Sequence, residues 1–338
     1  MKTSLLPLLV CRQCGSGFNL SQKLTEDTEV MEGTLQCHGC ASCFPIVRGI
    51  PRFVRPSLDP EKKATAEAFG YEWTHYSQLT EADRREFLAW IDPLMPADFR
   101  DQIVLDAGCG KGRHIALAAQ FGASTVVGID LSAAVEAAFR NTRHLPNVHV
   151  VQADIMDLPF ANPFTLVYSI GVLHHLPQPK QGFLALARHV HPGGRIATWV
   201  YGKEGNRWIE LLVDPVRKRI TSRLPKLVTR CLSFPLAVVL FVALKLLYGP
   251  ARNRDWLQML LPYSEYLCSI SDYTFAENFW NVFDQLVAPT AFYHSYQEIV
   301  DWYRTAGIHE VQIGRHNANS WRGTGRIEPN DSIRPSEL

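Results

Sequence analysis

The chain has 338 residues, enough for two domains or for one large domain with an attachment. Hydrophobic residues make up 46% and charged residues 20%, which excludes a disordered chain. Thirty-four Lys and Arg against 33 Asp and Glu leave a net charge of +1, which excludes a uniformly basic nucleic-acid coat. Read by eye, no apolar run reaches the ~20 residues that cross a bilayer comfortably. The first candidate element, Leu5 to Val10 before Cys11, has the flavour of a secretion signal. At six residues, interrupted by Pro7, it is too short for one, and a cytoplasmic location is expected.

Five of the eight cysteines fall between positions 11 and 43. Cys11 and Cys14 form one C-x-x-C pair, and Cys37 and Cys40 form a second after 22 intervening residues. Two such pairs on two turns bring four thiolates to the corners of a tetrahedron with Zn–S distances of ~2.3 Å. A disulfide framework or a redox pair would use the same residues; a cytosolic chain disfavours the first and two matched pairs the second. His38 and Cys43 are spare ligands. A segment this small lacks an apolar core of its own, so structural zinc would supply its stability. Phe44-Pro45-Ile46-Val47-Arg48-Gly49-Ile50-Pro51 follows. The paired cysteines and this run resemble the zinc-ribbon family of tRNA-methyltransferase activator subunits over about residues 5–55. That resemblance implies zinc on Cys11, Cys14, Cys37 and Cys40, in a domain fused to the enzyme it supports.

Phe69, Trp73 and Tyr76 stand at i, i+4 and i+7 of a helical stretch. They read equally as a lid over a ligand or as an ordinary core stripe. Ile103 to Asp106 is a β-branched strand, followed by the glycine turn Gly108-Cys109-Gly110-Lys111-Gly112 and a helical run from Arg113 to Phe121. Strand, glycine turn and helix open a nucleotide-binding unit. A second strand, Thr125 to Ile129, ends in Asp130, placed to take ribose hydroxyls. A third, Val148 to Gln152, leads to Asp154, placed for an adenine amino group, and a fourth, Phe164 to Ile170, runs into Gly171-Val172-Leu173-His174-His175. G-x-G-x-G in place of G-x-G-x-x-G speaks against a nicotinamide cofactor.

In order and spacing these motifs resemble class I S-adenosylmethionine-dependent methyltransferases (the methyltransferase domain 11 type) over about 100–202 and again near 295–327. The resemblance implies an α/β fold: a seven-stranded Rossmann-like sheet in the order 3-2-1-4-5-7-6, its seventh strand antiparallel. It also implies cofactor contacts from Asp106, Gly108, Gly110, Gly112, Asp130, Leu131, Asp154, Ile155 and Ser169. Methyl transfer from a sulfonium needs alignment and a dry site more than it needs a base. His175 is the candidate base, with a loop-ordering role as the alternative. Trp199, Tyr201, Tyr293 and His294 lie at neighbouring strand ends.

Residues 203–290 exceed any ordinary αβ connection and read as an inserted helical cap. Within it, 215–254 carries nine basic residues and no acid, leaving the rest of the chain at net −8. Cys231 to Leu244 is uncharged and apolar. This suits a helix lying in a membrane interface, a greasy substrate channel or a buried cap helix. Ser295 and Glu298 frame a capping box for a helix over 296–306, ended by Gly307. The division expected is 1–56 zinc ribbon, 57–99 lid, 100–202 cofactor core, 203–290 cap, 291–327 core helix and hairpin, and 328–338 mobile tail.

The function expected is methylation of a small-molecule or lipid-linked metabolite, with nucleic acid disfavoured by the acidic balance outside the cap. RNA methylation with the zinc ribbon as docking module is the alternative; a cofactor-binding scaffold without activity is opposed by the intact glycines, Asp130 and Asp154. A cytoplasmic enzyme is expected, with peripheral contact at the inner membrane face through 215–254.

Overall fold

The computed structural model describes residues 1–55, 57–161 and 163–329. Most of the tail expected at 328–338 lies outside the described residues. The first 51 residues form a four-stranded antiparallel sheet from β1 (Phe18–Glu26), β2 (Glu29–Cys37), β3 (Cys43–Val47) and β4 (Ile50–Pro51). Helices α1 (Pro60–His75) and α2 (Glu81–Ile91) follow. Asp59 starts α1 by accepting from the Glu61 and Lys62 amides, and Pro60 takes the first helical position.

The large sheet comprises β5 (Ile103–Ala107), β6 (Thr125–Asp130), β7 (Val148–Gln152), β8 (Phe164–Ile170), β9 (Val190–Tyr201), β10 (Ile308–His316) and β11 (Ser320–Ile327). Its order is β7-β6-β5-β8-β9-β11-β10, the expected 3-2-1-4-5-7-6. β5 to β9 pair in parallel, and β11 runs antiparallel to β9. Helices α3 (Arg113–Gln120), α4 (Val135–Thr142) and α5 (Pro179–Ala187) cross between its strands, and α12 (Tyr296–Thr305) precedes the final hairpin. The Ser295–Glu298 capping box forms as expected, and Gly307 adopts φ 65°.

The ribbon shares its core with the large sheet. Leu5, Leu9, Phe18, Leu35 and Phe53 pack in one cluster with Ile129, Val151 and Phe160. The apolar stretch that imitates a signal is thus core material. The two sheets are also stitched by main chain and charge. The Phe53 amide donates to the Gln152 carbonyl at 2.8 Å, Arg52 pairs with Glu136, and Arg12 and Arg55 reach Asp157.

The cap consists of α6 (Asp214–Arg219), the long α7 (Lys226–Ala243), the turns α8 (Gly249–Ala251), α9 (Asp255–Gln258) and α10 (Ser264–Ser269), and α11 (Phe275–Val287). Helical turns carry α7 on to Ala251, giving 26 residues within which an 18-residue window has a mean hydropathy of 2.2. By length and composition that is enough to cross a bilayer, which corrects the reading of the sequence by eye. α7 is not a buried cap helix. Thr229, Ser233 and Ala237 face α11, while Leu232, Phe234, Leu236, Val239 and Val242 are exposed, Val239 by 70%. The basic residues are only partly a free coat. Arg217 is buried and pairs with Asp214, Lys218 reaches the same carboxylate, and Arg252 pairs with Asp272. Lys245 donates to the Ser271 and Tyr273 carbonyls.

Candidate active site and metal centre

Cys11, Cys14, Cys37 and Cys40 converge: their sulfurs all lie within 4.8 Å of one another, at 3.5 Å for Cys11–Cys40 and 3.3 Å for Cys14–Cys37. All four are free thiols. Thiolates at ~2.3 Å around a tetrahedral ion stand ~3.8 Å apart, so the set fits zinc with little adjustment. Cys43 and His38 stay outside; the first leans on the Ala41 carbonyl and the second on Asn19.

The glycine turn between β5 and α3 is shaped by positive φ at Gly108, Gly110 and Gly112. A Cβ on Gly108 would stand 2.3 Å from Val172, so only glycine fits. The Asp130 carboxylate accepts from the Gly110 amide (3.0 Å), the Ser132 amide (2.8 Å) and the Ser132 hydroxyl (2.7 Å). Asp154 ion-pairs with Lys62 of α1 at 2.6 Å. Asp106 is fully buried, and neither of its oxygens has a hydrogen-bond partner among the described residues. Burial and the Asp130 charge hold its carboxyl well above the ordinary range. A fixed N–H-rich turn flanked by an unpartnered carboxyl suits a cofactor bearing an ammonium group.

A cavity of about 780 Å³ runs from this turn to the cap. Of the expected cofactor residues, Gly108, Gly110, Asp130, Leu131, Asp154 and Ile155 line it, and so does His175. Gly112, Asp106 and Ser169 stand behind the wall; the Ser169 hydroxyl donates to the Ala107 carbonyl at 2.8 Å. Phe69 and Trp73 of α1 and Tyr76 just after it face the cavity, with Trp73 over Gly110 and Phe69 against His175 (4.7 Å between ring centres). The aromatic stripe is therefore cavity wall as well as packing. His175 Nδ1 lies 2.6 Å from the Thr290 carbonyl, and burial pulls its pKa down to about 4, so the ring is neutral at pH 7.

The cap end of the cavity is lined by Tyr201, Tyr263, Tyr266 and Tyr293, together with Asn206 and Asn281. Acids that sequence reasoning missed also line it: Asp83, Glu86 and Glu277, and, most relevant here, Glu72 of α1 and Asp284 of α11. Each looks like an ordinary helical acid in sequence; only the packing of α1 on α11 sets Glu72 and Asp284 in the same wall. Arg113 and Lys111 were missed too. Arg113 pairs with Asp83 and Glu86, and Lys111 donates to the Gln78 carbonyl.

Comparison with known proteins agrees with both halves of this architecture. Residues 105–198 match the methyltransferase domain family, and residues 2–49 match the Trm112p-like protein family. The chain thus carries a methyltransferase domain, whose cofactor is S-adenosylmethionine, behind a Trm112p-like domain with a four-cysteine zinc site. It is 33% identical over 147 residues to a tRNA U34 carboxymethyltransferase of Cellvibrio japonicus, covering 40% of this chain and 45% of that one. A tRNA U34 carboxymethyltransferase of Azotobacter vinelandii is 30% identical over 178 residues, covering 51% and 53%. The chain therefore spans about half the length of these relatives. A solved complex of the Haloferax volcanii Trm112 methyltransferase activator matches with TM-score 0.43 and 16% identity, over 80% of this chain and 99% of that one.

These relatives overturn the expected acceptor. A small-molecule or lipid-linked substrate, and the exclusion of nucleic acid, do not stand beside relatives named for tRNA. The charge argument failed because net charge averages over the whole chain, whereas RNA is met by a local surface and an acceptor is chosen by its cavity.

Proposed function

We propose that this chain transfers a methyl-type group from S-adenosylmethionine to a base of RNA, the alternative raised by the sequence. The observation that carries the reading is the cavity. It continues from the glycine turn into a recess walled by tyrosines and side-chain amides. A base turned out of its stack is recognised by such groups: rings receive its face and amides its edge. In this reading the ribbon (1–56) docks the RNA. The lid (57–99) and core (100–202 and 291–327) hold the cofactor, and the cap (203–290) encloses the base.

The bound cofactor supplies an electrophilic carbon and a neutral leaving group. The chain supplies alignment. Gly108, Gly110 and Gly112 let the backbone approach the methionine portion, and the Asp106 carboxyl stands behind the turn as a hydrogen-bond acceptor for its ammonium. Asp130 and Leu131 would hold the ribose, and Asp154 and Ile155 the adenine, with Lys62 leaving Asp154 as they do. Ser169 fixes β8 to the end of β5. Trp73 and Phe69 keep water from the reacting atoms.

Purified protein incubated with cofactor labelled in the methyl group and with unfractionated tRNA should label the tRNA. Label confined to lipid or polar metabolite pools would reject the reading. Cys11, Cys14, Cys37 and Cys40 should hold one zinc per chain by elemental analysis. Cys37→Ser should lose the metal and loosen the ribbon.

We further infer that this cytoplasmic enzyme works at the inner membrane face. The exposed apolar side chains of 208–260, among them Leu211, Leu227, Leu246 and Met259, support a peripheral position. Sedimentation with anionic vesicles above that with neutral ones is the expected result; no sedimentation with either removes the inference.

A further inference from the structure

Glu72 and Asp284 are an unusual pair of acids. Both line the cavity between the cofactor turn and the cap recess. Glu72 is 2% exposed. Glu72 Oε2 and Asp284 Oδ1 are buried without a hydrogen-bond partner among the described residues. Buried carboxylates are normally matched to a cation or to several N–H donors. Here the neighbouring cations have other partners, although Arg217 Nε is itself buried without one among the described residues. Arg113 of α3 binds Asp83 and Glu86, and Lys111 binds the Gln78 carbonyl beside Asp83. Arg217 of α6 binds Asp214 and the Tyr293 hydroxyl. Asp284 Oδ2 takes one long contact, from the Tyr201 hydroxyl of β9 at 3.5 Å.

We propose that Glu72 and Asp284 form a carboxyl pair that takes the proton from the acceptor base as the group is transferred. The proposal rests on the RNA-directed reading above. The lone pair of the acceptor oxygen or nitrogen attacks the methyl carbon. The carbon–sulfur bond breaks with its electron pair on sulfur, discharging the sulfonium to a thioether. The acceptor's O–H or N–H proton passes to the free oxygen of the pair and leaves to solvent with the product. No oxidant or further reactant is needed. Two acids that line the same dry wall oppose each other's ionisation, so a carboxylate there accepts a proton near neutrality. Burial and Asp284 push Glu72 well up, and burial raises Asp284 to about 6 against the opposing charges of Arg217 and Arg113. His175, neutral with Nδ1 on the Thr290 carbonyl, is left as a wall and loop-ordering residue.

The test uses the full chain, methyl-labelled S-adenosylmethionine and unfractionated tRNA from cells lacking the gene. Wild-type labelling of tRNA is measured first, since its failure rejects the RNA reading and not the pair. With that transfer in hand, Asp284→Asn and Glu72→Gln should each slow single turnover by about 100-fold, the lower range for positioned proton transfer. Cofactor affinity by calorimetry should be unchanged. The wild-type rate should rise with pH through about 6, and Asp284→Asn should abolish that limb. Rates within threefold of wild type, or an unchanged pH profile, overturn the proposal. Should a variant fail to fold, infrared titration of the carboxyls with Glu72 and Asp284 intact decides. Glu86 also lines the cavity with a carboxyl raised to about 7, so a carboxyl that loses its proton between pH 5 and 8 in Glu86→Gln is expected, and the absence of any such band in that variant overturns the pair.

Discussion

Helices α3 and α7 are both apolar, yet they are held by opposite means. α3 buries Ile115, Ala116, Leu117 and Ala118 against the sheet. α7 turns its small and hydroxyl residues inward. Thr229 donates to the Thr221 carbonyl (3.1 Å), Ser233 to the Thr229 carbonyl (2.8 Å), and Asn278 of α11 to the Ala237 carbonyl (2.8 Å). Its large side chains face outward. Hydropathy therefore states how much apolar surface a helix has, not which neighbour it is meant for. The core helix contributes to the fold by burial, while the cap helix leaves its large apolar side chains exposed.

Four substitutions sharpen or break this contrast. Ile115→Ala should destabilise the protein by about 2–5 kcal/mol by chemical denaturation, because a buried β-branched side chain is lost and a cavity remains. Asn278→Ala should cost about 1–3 kcal/mol, since the Ala237 carbonyl loses its buried donor. Loss of that order from a polar residue would mark the α7–α11 contact as hydrogen-bonded and small, not greasy.

Asp284→Asn gives a smaller effect with a sign. Burial raises this carboxyl from 3.8 to about 6 in the fold. The unfolded chain releases the proton first, so the native state binds more protons between those values. Stability then falls as pH rises through that window. The variant should melt above wild type beyond pH 6 and should show no advantage near pH 4; a constant offset at both pH values would argue against a raised carboxyl. Val239→Ser, at an exposed position, should shift stability by less than about 0.5 kcal/mol while reducing vesicle sedimentation. A large drop in melting temperature would mean that α7 is packed after all.

Legibility followed the same divide. The convergence of Cys11, Cys14, Cys37 and Cys40 and the glycine turn were readable because both are fixed by local spacing along the chain. The strand order followed from the motif series. That Glu72 and Asp284 line one cavity was not readable, because it depends on α1 packing against α11 across most of the chain. The inward face of α7 was hidden for a related reason: Thr229, Ser233 and Ala237 acquire meaning only against Asn278. The acceptor was misjudged from a charge total that carries no information about the cavity's tyrosines and amides.

The central claim is that the recess receives an RNA base. Its most direct test is mass spectrometry of nucleosides from total tRNA of cells with and without the gene. The account predicts that one modified nucleoside disappears from the tRNA of the deletion strain, returns with the wild-type chain and stays absent with Asp130→Ala. Identical nucleoside profiles in all three strains would contradict it.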